Sequence, residues 1–234
     1  MINKIIILIR LARKIALSDA INIISKIHQP PLIIRIVFKI LSFSFMKNNN
    51  VSKQEDESTR LCNSIQNMGT TFIKLGQFLA TRPDIIGEGI SKQLEKLQDR
   101  VPAFSTHEAK NIVRNNLGEK LFNSLINFSD PIAAASIAQV HKAQINDNGV
   151  IKDVAIKILR PNIRKIFNEE IDALMLLAYF IENLIKKTKR LRLVEVVFLL
   201  KEITNHEMDL RLEAAAANEY SENTKNDLGF NVPN

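Results

Sequence analysis

Cysteine is almost missing from this 234-residue chain: Cys62 stands alone, so neither an internal disulfide nor a cysteine-based metal site can be built. Histidine is scarce too. His28, His107, His141 and His206 lie far apart without metal-ligand spacing, which leaves them as surface or packing residues. Long uncharged apolar runs are also lacking, and none approaches the roughly 18–20 residues of a transmembrane helix. The apolar run Ile5 to Ile9 is too short for a signal peptide, and no small-residue cleavage site follows it. Acidic residues are nearly absent from positions 1–47, which hold eight Lys/Arg and only Asp19. The whole net charge of +7 therefore resides there, because the other positions balance at 24 basic and 24 acidic. That segment has no interleaving of basic and aromatic residues suited to base stacking, which argues against a nucleic-acid partner.

What is present is ample apolar material, 46% of the chain, enough for one large domain or a domain with an extension. Residues 1–46 alternate Ile and Leu with Lys4, Arg10, Arg13, Lys14, Lys26, Arg35 and Lys39. Three readings stand for them: a basic amphipathic segment on an anionic membrane, the same segment packed on the protein, or a mitochondrial transit peptide. Pro30-Pro31 is expected to divide the segment into two helices, and Lys47 to Asn50 to link it to the body.

Beyond the linker, apolar residues at 61, 65, 68, 72, 75 and 79 predict one helix ending at Arg82-Pro83. Lys74 and Gln77 are neighbours on another face, with Gly76 between them. Glycine inside a helix costs up to about 1 kcal/mol relative to alanine, so either a close approach or a kink is expected at Gly76. A second helix carries Ile90, Leu94, Leu97 and Val101, and Ser105 with Glu108 caps a third that stops near Gly118. Two β-rich runs, Ile137 to Ile145 and Asp153 to Leu159, flank the turn residues Asn146 to Gly149. A long helix after Pro161 follows, with Ile163, Ile166, Phe167, Ile171, Leu174, Ile181 and Ile185 on its apolar side. The last helix is expected from about Val194 past Glu219. It carries Glu207, Asp209 and Glu213, either as a solvated acidic face or as partners for Lys74 and Lys157.

The second β-run ends in Val154-Ala155-Ile156-Lys157, the tetrapeptide that places the nucleotide-binding lysine on a strand of a protein-kinase amino lobe. A kinase would carry G-x-G-x-x-G-x-V upstream, over the ATP phosphates. Anchored on Val140, that pattern puts Ala133, Ala135 and Ala138 at the three glycine positions. The frame is kept and every glycine is alanine, whose Cβ disfavours positive φ and hinders backbone approach to phosphate.

Lys74-Leu-Gly-Gln77, Thr81-Arg-Pro-Asp84, Leu97-Gln-Asp-Arg-Val-Pro102, Ala133-Ala-Ala-Ser136, Val154-Ala-Ile-Lys157 and Glu207-Met-Asp209 occur in that order. In this the chain resembles the UbiB family of atypical kinase-like proteins. The resemblance implies an α+β fold, mostly helical, in which a kinase-like amino lobe with a β-hairpin follows a helical KxGQ extension. The segments would be 1–47 (basic and helical), 52–130 (the KxGQ extension) and 131–234 (the amino lobe). It implies ATP or ADP binding with ATPase-like activity, in support of ubiquinone biosynthesis. The place implied is the cytoplasmic face of a bacterial inner membrane, with a mitochondrion the alternative. An anionic membrane surface met by residues 1–46, quinone-biosynthesis proteins and lipid precursors are the implied partners.

By the same resemblance, Lys157 pairs the nucleotide phosphates and Glu213 holds Lys157, whereas kinase spacing alone would choose Glu169 or Glu170. Ala133, Ala134, Ala135, Ser136, Ala138 and Val140 would form the nucleotide loop. Lys74, Gly76 and Gln77 would lie across the site, with Lys74 held by Glu207 or Asp209. Two departures are visible. Ala216 stands where the family has Asn after its ExD motif, with Asn218 two positions later. No catalytic-loop aspartate and asparagine or DFG-type aspartate occurs, so Mg²⁺ ligands are expected beyond residue 234 and the 234 residues alone are expected to be inactive.

Overall fold

The computed structural model describes residues 2–17, 56–97, 101–147, 149–229 and 232. Helix α1 (Ile2–Leu17) lies against the rest of the protein through one side only. Leu11 is buried in the main core with Ile7 and Ile15 packed beside it, while Ile6 and Ile9 face outward. Lys14 pins the helix down: its ammonium donates to the Met68 carbonyl at 3.2 Å and to Glu170 at 3.0 Å. Packing on the protein is thus the observed state of residues 2–17. The Pro30-Pro31 break and the Lys47–Asn50 linker lie outside the described residues.

The single helix expected over positions 61–79 is two, α2 (Glu57–Met68) and α3 (Thr70–Ala80). Gly69 sits at φ 105° and ψ −178°, a conformation no helix contains and few L-residues adopt. Its amide turns back to the Gln66 carbonyl, and its own carbonyl accepts the Phe72 and Ile73 amides of α3. The apolar stripe misled because both helices bury it in one core: Leu61, Ile65, Met68 and Phe72 are all buried. A single turn, α4 (Pro83–Ile86), and α5 (Glu88–Leu94) follow. Helix α6 (Thr106–Asn123) starts at Ser105, whose hydroxyl accepts the Glu108 amide at 3.2 Å. It is interrupted at Gly118 (φ 81°), as the sequence suggested, but resumes for a further turn to Asn123.

The sheet is antiparallel. Strand β3 (Ala138–Asp147) pairs along its whole length with β4 (Val150–Leu159), and on its other edge with β1 (Leu125–Ile126) and β2 (Pro131–Ala134). Both hairpin strands are longer than the β-runs read from sequence. The turn closes at Gly149 (φ 90°), whose amide donates to the Asn146 side chain at 2.9 Å. Strand β4 alternates cleanly: Asp153, Ala155 and Lys157 are exposed, while Val154, Ile156 and Ile158 turn inward. Beneath the inward face, Ala109 and Val113 of α6 pack on Ile158 and Ile156. Polar groups on that face are satisfied. Gln139 clamps the backbone N–H and C=O of Phe104 at 2.9 and 3.2 Å, and buried His141 sits between Gln139 (2.8 Å) and the Ser129 carbonyl (2.9 Å).

Helix α7 (Ile163–Leu184) is the central spine, with Ile163, Phe167, Ile171 and Leu174 buried; Ile166, expected on that side, is exposed. The basic stretch Lys186–Leu191 forms a 3₁₀ turn. The expected last helix is again two, α8 (Leu193–Glu207) and α9 (Leu210–Asn223). Between them Met208 is fully buried, and Asp209 leaves helical geometry to cap α9, accepting the Arg211 amide. Cap and burial outweigh continued propensity there. One hydrophobic cluster joins Leu11 of α1, α2, α3, the Ile137-Ala138 turn, α7, α8 and Met208. Among the described residues no helix is long and apolar enough to cross a membrane.

Candidate functional site

The open face of the sheet is where the sequence-flagged residues gather. Ala133 pairs with Val140, and Val140 with Lys157, so the three lie in one row across β2, β3 and β4. Paired residues share a face. Lys157 stands on the solvent side of that row and donates to Glu213 Oε2 at 2.6 Å. Glu213 reaches it from the first turn of α9, an orientation set by the Asp209 cap. Glu170 is already held by Lys14, and Glu169 lines a separate cavity of about 480 Å³ with Ile7 and Tyr179, so neither meets Lys157. The side chains of Lys157 and Glu213 are 39% and 57% exposed, an ion pair in reach of solvent and of a ligand.

The alanine-rich turn is tight. The Ala135 amide donates to the Ala138 carbonyl at 2.8 Å, and the Thr70 hydroxyl of α3 donates to the Ser136 carbonyl at 3.1 Å. Ala133 is exposed, Ala134, Ala135 and Val140 are half-buried, and Ser136 and Ala138 are buried. The last two can shape the turn but offer no side-chain surface to a ligand. Among the described residues the non-glycine positive φ angles fall at Asn127, Asn162 and Arg192, none of them in this turn. The loop is therefore built from backbone that alanine adopts without strain.

A second lysine lies on α3. Lys74 is paired with Glu207 Oε2 at 2.6 Å, and its side chain is only 13% exposed. Gly76 shows why glycine is needed on this helix: a Cβ there would stand 2.6 Å from Leu97 Cδ2 and 3.4 Å from Ile65 Cγ2. The expected close approach is thus a leucine from the Leu97–Pro102 motif, buried in the core. Gln77 is half-buried on the next position. Asp209 does not reach Lys74. It takes a two-point contact from Arg211 (2.8 and 2.6 Å), which holds its carboxyl down at about 2. The guanidinium of Arg164 on α7 donates to the Met208 carbonyl and fixes the bend between Glu207 and Asp209.

Sequence reasoning missed Arg160, Thr70 and Gln139. Arg160 follows the hairpin directly and binds carbonyls of both the alanine-rich turn and the Val101-Pro102 segment. The available signal was an arginine caught between a strand and Pro161. The Thr81–Asp84 motif proves local, a bidentate Arg82–Asp84 contact (2.8 and 2.7 Å) at the end of α3. Among the described residues no group of three or more His, Cys, Asp or Glu could hold a metal ion.

A strand lysine gripped by a helix carboxylate, beside a tight turn and above a helix-backed hairpin, defines a kinase-like amino lobe with a helical extension. Residues 96–234 match the ABC1 atypical kinase-like domain, and the chain belongs to that family. Among curated proteins it is similar to the probable protein kinase UbiB of Marinobacter nauticus, 33% identical over 204 residues, which are 87% of this chain and 36% of that one. The proteins of the same name from Azotobacter vinelandii and Cellvibrio japonicus are 34% and 35% identical over 77% and 83% of the chain, covering 33% and 34% of their own lengths. The chain spans about a third of the length of the curated relatives it matches. No solved structure matches it.

Proposed function

We propose that the open face of the hairpin is one wall of an ATP or ADP site, and that the protein works as part of a UbiB-like atypical kinase or ATPase in ubiquinone biosynthesis. The observation that carries this is Lys157: an exposed ammonium at the end of the Ala133–Val140 row, held by Glu213 at 2.6 Å. The donor chemistry fits a nucleotide. Lys157 supplies a cation for the phosphates, Glu213 fixes its position, and exposed Ala155 with half-buried Val140 supplies an apolar surface for the base. Bound nucleotide would supply the transferable phosphoryl group; the residues here bind and orient it. Lys74 and Glu207, fixed on α3 and α8, form the occluding side of the site, which suits a small substrate better than a peptide.

Titrating the full chain with ADP and ATP by calorimetry tests the reading. The wild type should bind and Lys157→Met should lose at least about tenfold in affinity, the scale of one charge-assisted contact. A wild type that binds neither, or a variant that binds equally, removes it.

A second reading attaches to α1. Its outward side shows Ile6, Ile9, Arg10 and Arg13, an apolar and cationic surface of the kind that settles on anionic lipid. On this reading the protein would lie peripherally at a membrane, the cytoplasmic face of a bacterial inner membrane being the expected one. Co-sedimentation with phosphatidylglycerol vesicles should fall for Ile6→Asp/Ile9→Asp. Unchanged sedimentation eliminates this surface.

A further inference from the structure

Two adjacent carbonyls of the alanine-rich turn are held by two different elements. Ser136 C=O accepts the Thr70 hydroxyl at 3.1 Å, and Ala135 C=O accepts both Nε (2.9 Å) and Nη2 (2.8 Å) of Arg160. The same guanidinium donates from Nη2 to Val101 C=O (3.1 Å) and from Nη1 to Pro102 C=O (2.9 Å). The Arg160 backbone amide meanwhile donates to Ile137 C=O at 2.9 Å. One residue therefore touches both ends of the turn and the segment that follows Leu97, which is itself packed on Gly76.

We propose that Arg160 is a positioning residue, which sets the shape of the alanine-rich turn by tying it to the Val101-Pro102 segment of the helical extension. Its bearing on ligand binding rests on the nucleotide reading above; the tie itself does not. A planar fork of five donors can meet three carbonyls at once, whereas a lysine offers three donors from a single point and cannot reproduce the fork that spans them. The turn closes on itself through the Ala135 amide and the Ala138 carbonyl, and Arg160 adds a fixed point from the sheet on the Ala135 carbonyl. The extension and the turn are then coupled: a shift of the Val101-Pro102 segment is transmitted to the Ala135 carbonyl through the Arg160 guanidinium, beside the separate Thr70 contact at Ser136.

The test is Arg160→Lys in the full chain, followed by amide hydrogen exchange and by ADP titration. Exchange over residues 133–138 should quicken at least about tenfold, matching the loss of charge-assisted hydrogen bonds, while the His141–Ala143 and Val154–Ile156 amides stay as protected as in the wild type. ADP affinity should fall about threefold or more with Lys157 untouched. Unchanged exchange at 133–138, or an equal rise across the whole sheet, overturns the proposal, the second result making Arg160 an ordinary stabiliser of the fold. Faster exchange with unchanged ADP affinity overturns the positioning role. A wild type that binds no ADP sinks the nucleotide reading alone, and the exchange pattern then decides whether Arg160 holds the turn.

Discussion

Lys74–Glu207 and Lys157–Glu213 have the same 2.6 Å separation and stand in different surroundings. The first lysine is 13% exposed on a helix that packs closely on a buried leucine at Gly76, two positions on; the second is 39% exposed on a strand face open to solvent. An equal distance therefore does not mean an equal role. A pair with one shielded partner is harder to open and ties α3 to α8, whereas an exposed pair contributes little to stability and, on the nucleotide reading proposed above, would be the one to give up its carboxylate for a phosphate. The fold has put the first pair between the helical extension and α8, and the second between the sheet and α9.

The sharpest way to break this contrast is beneath the first pair. Leu97→Ala removes a buried side chain and should cost about 2–5 kcal/mol in a denaturant titration. Gly76→Ala gains up to about 1 kcal/mol of helix propensity, yet must push Leu97 Cδ2 back from 2.6 Å at about 1–3 kcal/mol, and should be destabilising by up to about 2 kcal/mol net. In the double variant the alanine at 76 has room, so its combined cost should be clearly less than the sum of the two. Strict additivity would mean that Gly76 is there for another reason.

Next comes a comparison of the lysines themselves. Lys74→Met should lower stability by about 1 kcal/mol or somewhat more, because Glu207 keeps partial access to water, and Lys157→Met by about 0–0.5 kcal/mol. Urea midpoints of both variants measure this directly. If Lys157→Met costs as much as Lys74→Met, the exposed pair is structural and the division of labour fails.

The α+β character, the hairpin, its turn and the apolar stripes were readable because each is a local pattern: alternation in β4, Asn and Gly at the turn, Ser105 before a helix. Chain direction was not. The stripe through Leu61, Ile65, Met68 and Phe72 keeps phase across Gly69, so periodicity alone could not reveal that the chain turns there. Glycine was the only sign. At Met208-Asp209 the sign was an aspartate able to cap a helix, hidden by good helix formers on both sides. Of the candidate site, Lys74, Lys157, Glu207 and Glu213 could be named from the ordered motifs. The resemblance already paired Glu213 with Lys157 and left Glu207 or Asp209 for Lys74; that remaining choice depends on the bend at Met208-Asp209, a tertiary result. Arg160 and Thr70 escaped because they bind backbone carbonyls, and a carbonyl leaves no mark in a sequence.

The smallest effect concerns that bend. Arg211 grips Asp209 at two points, so the Asp209 carboxyl should titrate at about 2 by NMR, below its ordinary value of about 3.9. Because the folded carboxyl has the lower pKa, the contact contributes fully above about pH 4. It weakens as pH falls, and it is lost below about 2. Arg211→Ala should return the titration toward the ordinary range and remove that part of the acid sensitivity. The Lys157–Glu213 pair, carried by the helix that Asp209 caps, should then be the first of the two lysine pairs to loosen, read as faster exchange in the first turn of α9 (Leu210–Asn223). Loosening at Lys74–Glu207 alone, at the carboxyl end of α8 (Leu193–Glu207), would show instead that the Asp209–Arg211 contact holds the bend and that Glu213 keeps its place without it.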